Sequence, residues 1–152
     1  MTRRRTIAWT GGAALALLVA GGVAAWTLTS KGSRADPTDA TQVALGKAVY
    51  AENCASCHGV NLKGQPDWQS RKPDGRMPAP PHDVSGHTWH HPDEVLFSII
   101  KEGIEKHAPP RYESDMPAFG GTLTDDEIWA VLAYIASRWP EDIRARWSMM
   151  AQ

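Results

Sequence analysis

The chain has 152 residues, enough for one ordinary domain, and a formal net charge of −1. A balance this close to neutral excludes a strongly basic nucleic-acid binder and an acidic disordered chain. Three of the 16 basic residues are Arg3, Arg4 and Arg5, whereas all 17 acids lie further on, so the body beyond residue 30 is mildly acidic.

After the arginine cluster, residues 7–28 carry no charge. As a helix such a span is roughly 33 Å long, enough to cross a bilayer core. Trp9 and Trp26 stand near its two ends, as interfacial tryptophans do. Residues 1–30 are therefore read as a single-pass transmembrane anchor with the arginines in the cytoplasm. A cleaved signal peptide shares the basic start and apolar middle, and Val23, Ala24 and Ala25 offer small residues for cleavage. Both readings export the rest of the chain to the periplasmic or outer face of a bacterial inner membrane. Residues 31–40 (KGSRADPTDA) are small and polar and read as a tether.

From about Thr41 the pattern becomes helical. Val43, Gly46, Tyr50 and Cys54 share one helix face. Gly46 is a poor helix former, so its expected use is close approach of another helix. Residues 59–91 are rich in Gly, Pro, Asp and His and read as one long loop. Loops of that length in compact domains usually serve a function, and wrapping a prosthetic group is one. A second helix is expected from Pro92, with Val95, Leu96, Ile99 and Ile100 as its apolar face and Gly103 as its stop. A third is expected from Thr124, with Glu127 completing a capping box and Ile128, Val131, Leu132 and Ile135 facing inward. Pro140 opens a last short helix through Trp147, with a tail over residues 148–152. No alternating strand pattern occurs, so the fold class is all-α, with one domain over residues 41–147.

The chemistry is concentrated in Cys54-Ala55-Ser56-Cys57-His58. CxxCH is the attachment signature of c-type haem. Two thiols about one turn apart can each form a thioether to a haem vinyl group, and the adjacent imidazole is placed for the iron. The two cysteines are too few for a disulfide framework. A zinc site would need further ligands at defined spacing, and a redox dithiol would need a βαβ setting. One motif implies one covalent haem c. Met116, before Pro117 in a loop, is the candidate for the second axial position, with Met77, before Pro78, as its competitor. His82, His87, His90 and His91 form a histidine-rich loop that is a candidate copper or zinc site or, more simply, a solvated segment. Nothing resembles a nucleophile–base pair or a phosphate loop, so the chain is not expected to be an enzyme in its own right.

With Gly46 and Tyr50 before the motif, Cys54, Cys57 and His58 within it, Met116-Pro117 after it, and Trp129 and Tyr134 on the closing helix, residues 39–147 resemble the class I cytochrome c family, in a membrane-anchored form. The resemblance implies three to five short helices around one haem with His58 and Met116 as iron ligands. It implies a first and last helix crossing at Gly46 and Tyr134, and a proline carbonyl, from Pro80 or Pro81, holding the axial imidazole. It further implies a single-electron carrier serving redox proteins such as a quinol-oxidising complex, a terminal oxidase or a periplasmic dehydrogenase, with no nucleic acid and no small-molecule substrate. The readings kept beside it are a haem sensor or peroxidase-like protein, which needs an open sixth position, and a metal-handling factor using the histidine loop.

Overall fold

The computed structural model describes residues 34–150. The anchor expected over residues 1–30 lies outside the described residues. Among the described residues there is no strand, and no helix is long and apolar enough to cross a membrane.

The described residues form five α-helices, in order α1 (Ala40–Asn53), α2 (Ala55–His58), α3 (Asp93–Glu102), α4 (Asp125–Ser137) and α5 (Glu141–Met150). Short 3₁₀ turns at Thr88–His90 and Ile104–Lys106 interrupt the connections. Asp39 caps α1, its side chain accepting from the backbone of Thr41 and Gln42. Thr124 caps α4 in the expected capping box with Glu127. Gly103 ends α3 at φ 90°, a left-handed conformation that side chains oppose. Pro92 is the cap residue of α3 rather than its first helical residue. Asp93 then occupies the first turn, buried, where it meets the positive helix end and the Arg34 guanidinium at 3.3 Å.

The core is the crossing of α1 and α4. Beyond its exposed first turn α4 is mostly buried: Ile128, Ala130, Val131, Leu132, Ala133, Ile135 and Ala136 leave little surface exposed. Gly46 makes the crossing possible. A Cβ there would stand 1.8 Å from the Ala130 carbonyl oxygen and 3.0 Å from Tyr134 Cβ. Tyr50, on the same face of α1, packs against Tyr134 with ring centroids 5.4 Å apart.

The expected face of α3 needs one correction. Leu96 is buried and Ile100 packs on the core, but Val95 is 38% exposed. Phe97 turns inward instead, stacking on Trp129 at 4.3 Å. An aromatic ring buries more apolar area than valine, so the helix settles with Phe97 toward α4. Finally, α5 continues to Met150, three residues beyond its expected end at Trp147. Trp147 itself is buried and meets Trp139 edge-on at 5.3 Å.

Candidate functional site

The end of α1 and the short helix α2 place the Cys54–His58 motif. The backbone of Cys54 continues the α1 hydrogen-bond ladder to Tyr50, and His58 N–H donates back to Cys54 O at 2.9 Å. One turn of helix therefore separates Cys54 from His58, with Cys57 directly before the imidazole. Both cysteines are free thiols, Cys54 half-buried and Cys57 exposed. Burial, with the nearby Cys57 thiol, pushes the Cys54 thiol up to about 11, so it is held as the protonated thiol. Beyond the motif, Gly59 turns the chain at φ 79°, and its carbonyl accepts the Tyr50 hydroxyl at 2.9 Å.

His58 is buried, and its Nδ1 lies 2.9 Å from the carbonyl oxygen of Pro80. A carbonyl only accepts, so Nδ1 carries the proton and Nε2 keeps its lone pair. Burial, the dominant effect, lowers the His58 pKa, against the opposing pull of Pro80 O, and the ring is held neutral. This settles the expected proline: Pro80, not Pro81, supplies the carbonyl.

The histidine-rich loop does not gather into one cluster, although His87 and His91 meet edge-on at 5.6 Å. His82 turns inward and stacks on His58 at 4.0 Å, while its Nδ1 bonds the buried Thr88 hydroxyl at 2.8 Å. Burial foremost, then His58 and His87, holds the His82 pKa well below the usual histidine range. His87 stacks on Trp68 at 5.7 Å, and His90 on Trp89 at 3.6 Å. Among the described residues no three His, Cys, Asp or Glu side chains converge to hold a metal ion. Two tryptophans staple the loop at its ends: Trp139 Nε1 donates to His82 O at 2.7 Å, and Trp147 Nε1 to His91 O at 3.0 Å. Neither tryptophan carried a site signal in the sequence.

Met116 and Met77 are both partly buried, on loops joined by ion pairs. Asp115, just before Met116, pairs with Lys72 and with Arg76, the residue just before Met77. Arg76 also reaches Glu113 at 3.5 Å. The Met116 N–H donates to Ser114 Oγ at 3.0 Å, and beyond it Phe119 and Gly120 donate to Ile100 O and Lys101 O, fixing the loop on the end of α3. His107 lies apart, its Nε2 3.1 Å from Ser98 Oγ.

These residues fit a covalently attached haem. Two unpaired thiols and a neutral imidazole with a free Nε2 form the donor set. The indole N–H of Trp89 is buried with no hydrogen-bond partner among the described residues, a donor suited to a propionate.

An all-α domain that presents CxxCH at the end of its first helix, and grips the adjoining imidazole through a distant carbonyl, defines a haem c-binding protein. The sequence profile of the cytochrome c family matches residues 43–139, and the chain belongs to that family. Its cofactor is covalently bound haem c. Cytochrome c-555 of Prosthecochloris aestuarii is 30% identical over 103 residues, covering 62% of this chain and 86% of that protein. The Cbb3-type cytochrome c oxidase subunit FixP of Bradyrhizobium sp. (strain ORS 278) is 30% identical over 96 residues, 62% of this chain. The cytochrome bc1 complex cytochrome c subunit of Mycobacterium bovis is 41% identical over 70 residues, 43% of this chain. The match spans only 29% of the FixP subunit and 25% of the bc1 subunit. No solved structure matches the chain significantly.

Proposed function

We propose that the chain carries single electrons in a respiratory chain through one haem c tethered by Cys54 and Cys57, with His58 and Met116 as the axial ligands. When bound, the haem supplies a one-electron iron couple. The observation that carries this reading is the buried His58 imidazole, oriented by Pro80 O at 2.9 Å so that Nε2 is the only nitrogen left to ligate. The bond fixes the ring's orientation and strengthens Nε2 as a donor. Met116 supplies a soft thioether on a loop pinned to α3 and to residues 72–76. A sulfur ligand favours the ferrous state and raises the potential. Filling both axial positions closes the iron to substrates, which favours transfer over oxygen chemistry.

The same reading indicates the partners. Relatives of this domain are named as subunits of a cbb3-type oxidase and a bc1 complex. A membrane respiratory complex, either a quinol-oxidising complex or a terminal oxidase, is the partner class that suits this chain, and its acidic body suits a basic docking face. The uncharged span over residues 7–28, behind three arginines, supports export and a retained inner-membrane anchor.

The test is purification of the full chain from membranes, then haem staining after denaturation, a ferric spectrum and a potentiometric titration. The expected protein stains for covalent haem, is low-spin with a sulfur-to-iron band, and titrates as a single one-electron couple. A high-spin ferric protein that binds added ligands readily would overturn the carrier reading and favour a sensor or peroxidase-like protein.

A further inference from the structure

The Pro80 carbonyl restrains one edge of the His58 ring. Hydrogen bonds at carbonyl oxygens accept a broad range of directions. One such bond therefore leaves the plane of an iron-bound imidazole some freedom to rotate. A flat group against the ring face removes that freedom, and His82 is such a group. Its ring centroid lies 4.0 Å from that of His58, with the two planes 23° apart.

His82 is itself held firmly. Its backbone N–H donates to Leu62 O at 2.7 Å, and its carbonyl accepts Trp139 Nε1 at 2.7 Å. Its ring is pinned at Nδ1 by Thr88 Oγ1, 2.8 Å away, and Thr88 is buried. Tyr50 approaches the same ring edge-on at 6.4 Å. Leu62 takes φ 66°, a left-handed conformation uncommon for a residue with a bulky side chain, while only 3% exposed. Its carbonyl accepts both His82 N–H and Asp83 N–H, which compensates the unusual backbone. If only space needed filling, a leucine or methionine would serve here, without a hydroxyl partner for the ring.

We propose that His82 is a positioning residue for His58, its stacked and hydrogen-bonded ring setting the plane in which the axial imidazole meets the iron. The assignment rests on His58 being the axial ligand. The plane of an axial imidazole decides which iron orbitals mix with the ligand, and so how unpaired spin spreads around the ferric haem. That spread is read from the hyperfine-shifted haem methyl resonances, which a purely space-filling role would not move.

The experiment compares ferric proton spectra and midpoint potentials of the holoprotein with those of His82→Leu, His82→Phe and Thr88→Val. His82→Leu removes the stacked face and is expected to change the order or spread of the methyl resonances and to shift the potential, with the low-spin spectrum retained. His82→Phe keeps the face and is expected to restore the native order. Thr88→Val releases the ring from its pin, and a measurable change in the same spread is expected. Native methyl patterns in His82→Leu would overturn the proposal. Should that variant not accumulate as holoprotein, a native pattern in Thr88→Val would overturn it equally. A native protein without a low-spin spectrum would instead overturn the ligand reading beneath it.

Discussion

Arg76 and Asp115 form an ion pair across 39 residues of sequence, and each directly precedes a methionine that itself precedes a proline. The contact brings the Met77 and Met116 loops side by side, and Lys72 joins the same carboxylate. Of the two, only Met116 continues into backbone bonded to the end of α3 through Phe119 and Gly120. Met116→Ala is expected to abolish the sulfur-to-iron band of the ferric protein, whereas Met77→Ala keeps it. The opposite pattern in absorbance spectra of the two variants would reassign the ligand.

The same clamp gives a salt-dependent expectation. Its groups are solvent-accessible, so their attraction is screened by ions. Asp115→Asn is expected to raise the affinity of added imidazole for the ferric iron several-fold by loosening the Met116 loop. High salt should reproduce part of that effect in the native protein and little in the variant. Imidazole titrations at low and high ionic strength check this, and equal affinities for native protein and variant under both conditions would show that the clamp does not restrain the loop.

Gly46→Ala should be among the most damaging single-methyl changes in the domain. The added carbon would meet backbone, the Ala130 carbonyl, at 1.8 Å, so α1 and α4 must separate. Overpacking of this kind costs about 1–3 kcal/mol, and a backbone clash belongs at the upper end. Denaturant unfolding of the holoprotein measures it, and a loss below about 0.5 kcal/mol would mean that the crossing yields easily.

Tyr50→Phe removes the hydroxyl that donates to Gly59 O at 2.9 Å, just beyond the haem motif. Leaving a partly buried carbonyl without its partner is expected to cost about 1–2 kcal/mol of stability in the same unfolding experiment. The haem spectrum should be unchanged, because the ring still packs against Tyr134.

The α4 cap carries a pH signature. The Thr124 backbone N–H, and then its hydroxyl, hold the Glu127 carboxyl below its ordinary value of 4.5. A depressed carboxylate stabilises the fold fully above its unfolded pKa, and the contribution is lost as pH falls through the folded value. The stability gap between native protein and Glu127→Gln should therefore be constant well above the ordinary value of 4.5 and shrink as pH falls below it. Thr124→Ala, which removes the cap at every pH, is expected to cost about 1 kcal/mol. Thermal unfolding across that range distinguishes the two.

Much of this protein is written in short-range pattern. The spacing of Cys54, Cys57 and His58 specifies the haem, the i, i+3, i+4 rhythm of Ile128, Val131, Leu132 and Ile135 specifies α4, and Thr124 with Glu127 marks where it begins. Close approach of another helix at Gly46 was legible too, because a glycine amid helical pattern has few other uses, whereas Tyr134 as its partner followed from the resemblance to the cytochrome c family. These signals act within one or two helical turns, where periodicity and capping determine the outcome. The choice of Pro80 over Pro81, the inward turn of His82, the dispersal of His87, His90 and His91 among aromatic neighbours, and the joining of Arg76 to Asp115 carried no such pattern. The Pro80 carbonyl lies 22 residues from His58, and the Trp139 indole that holds the His82 backbone lies 57 residues away. Loop backbone has no period, so which of several prolines or histidines turns inward is decided only once the helices have set the walls against which it packs.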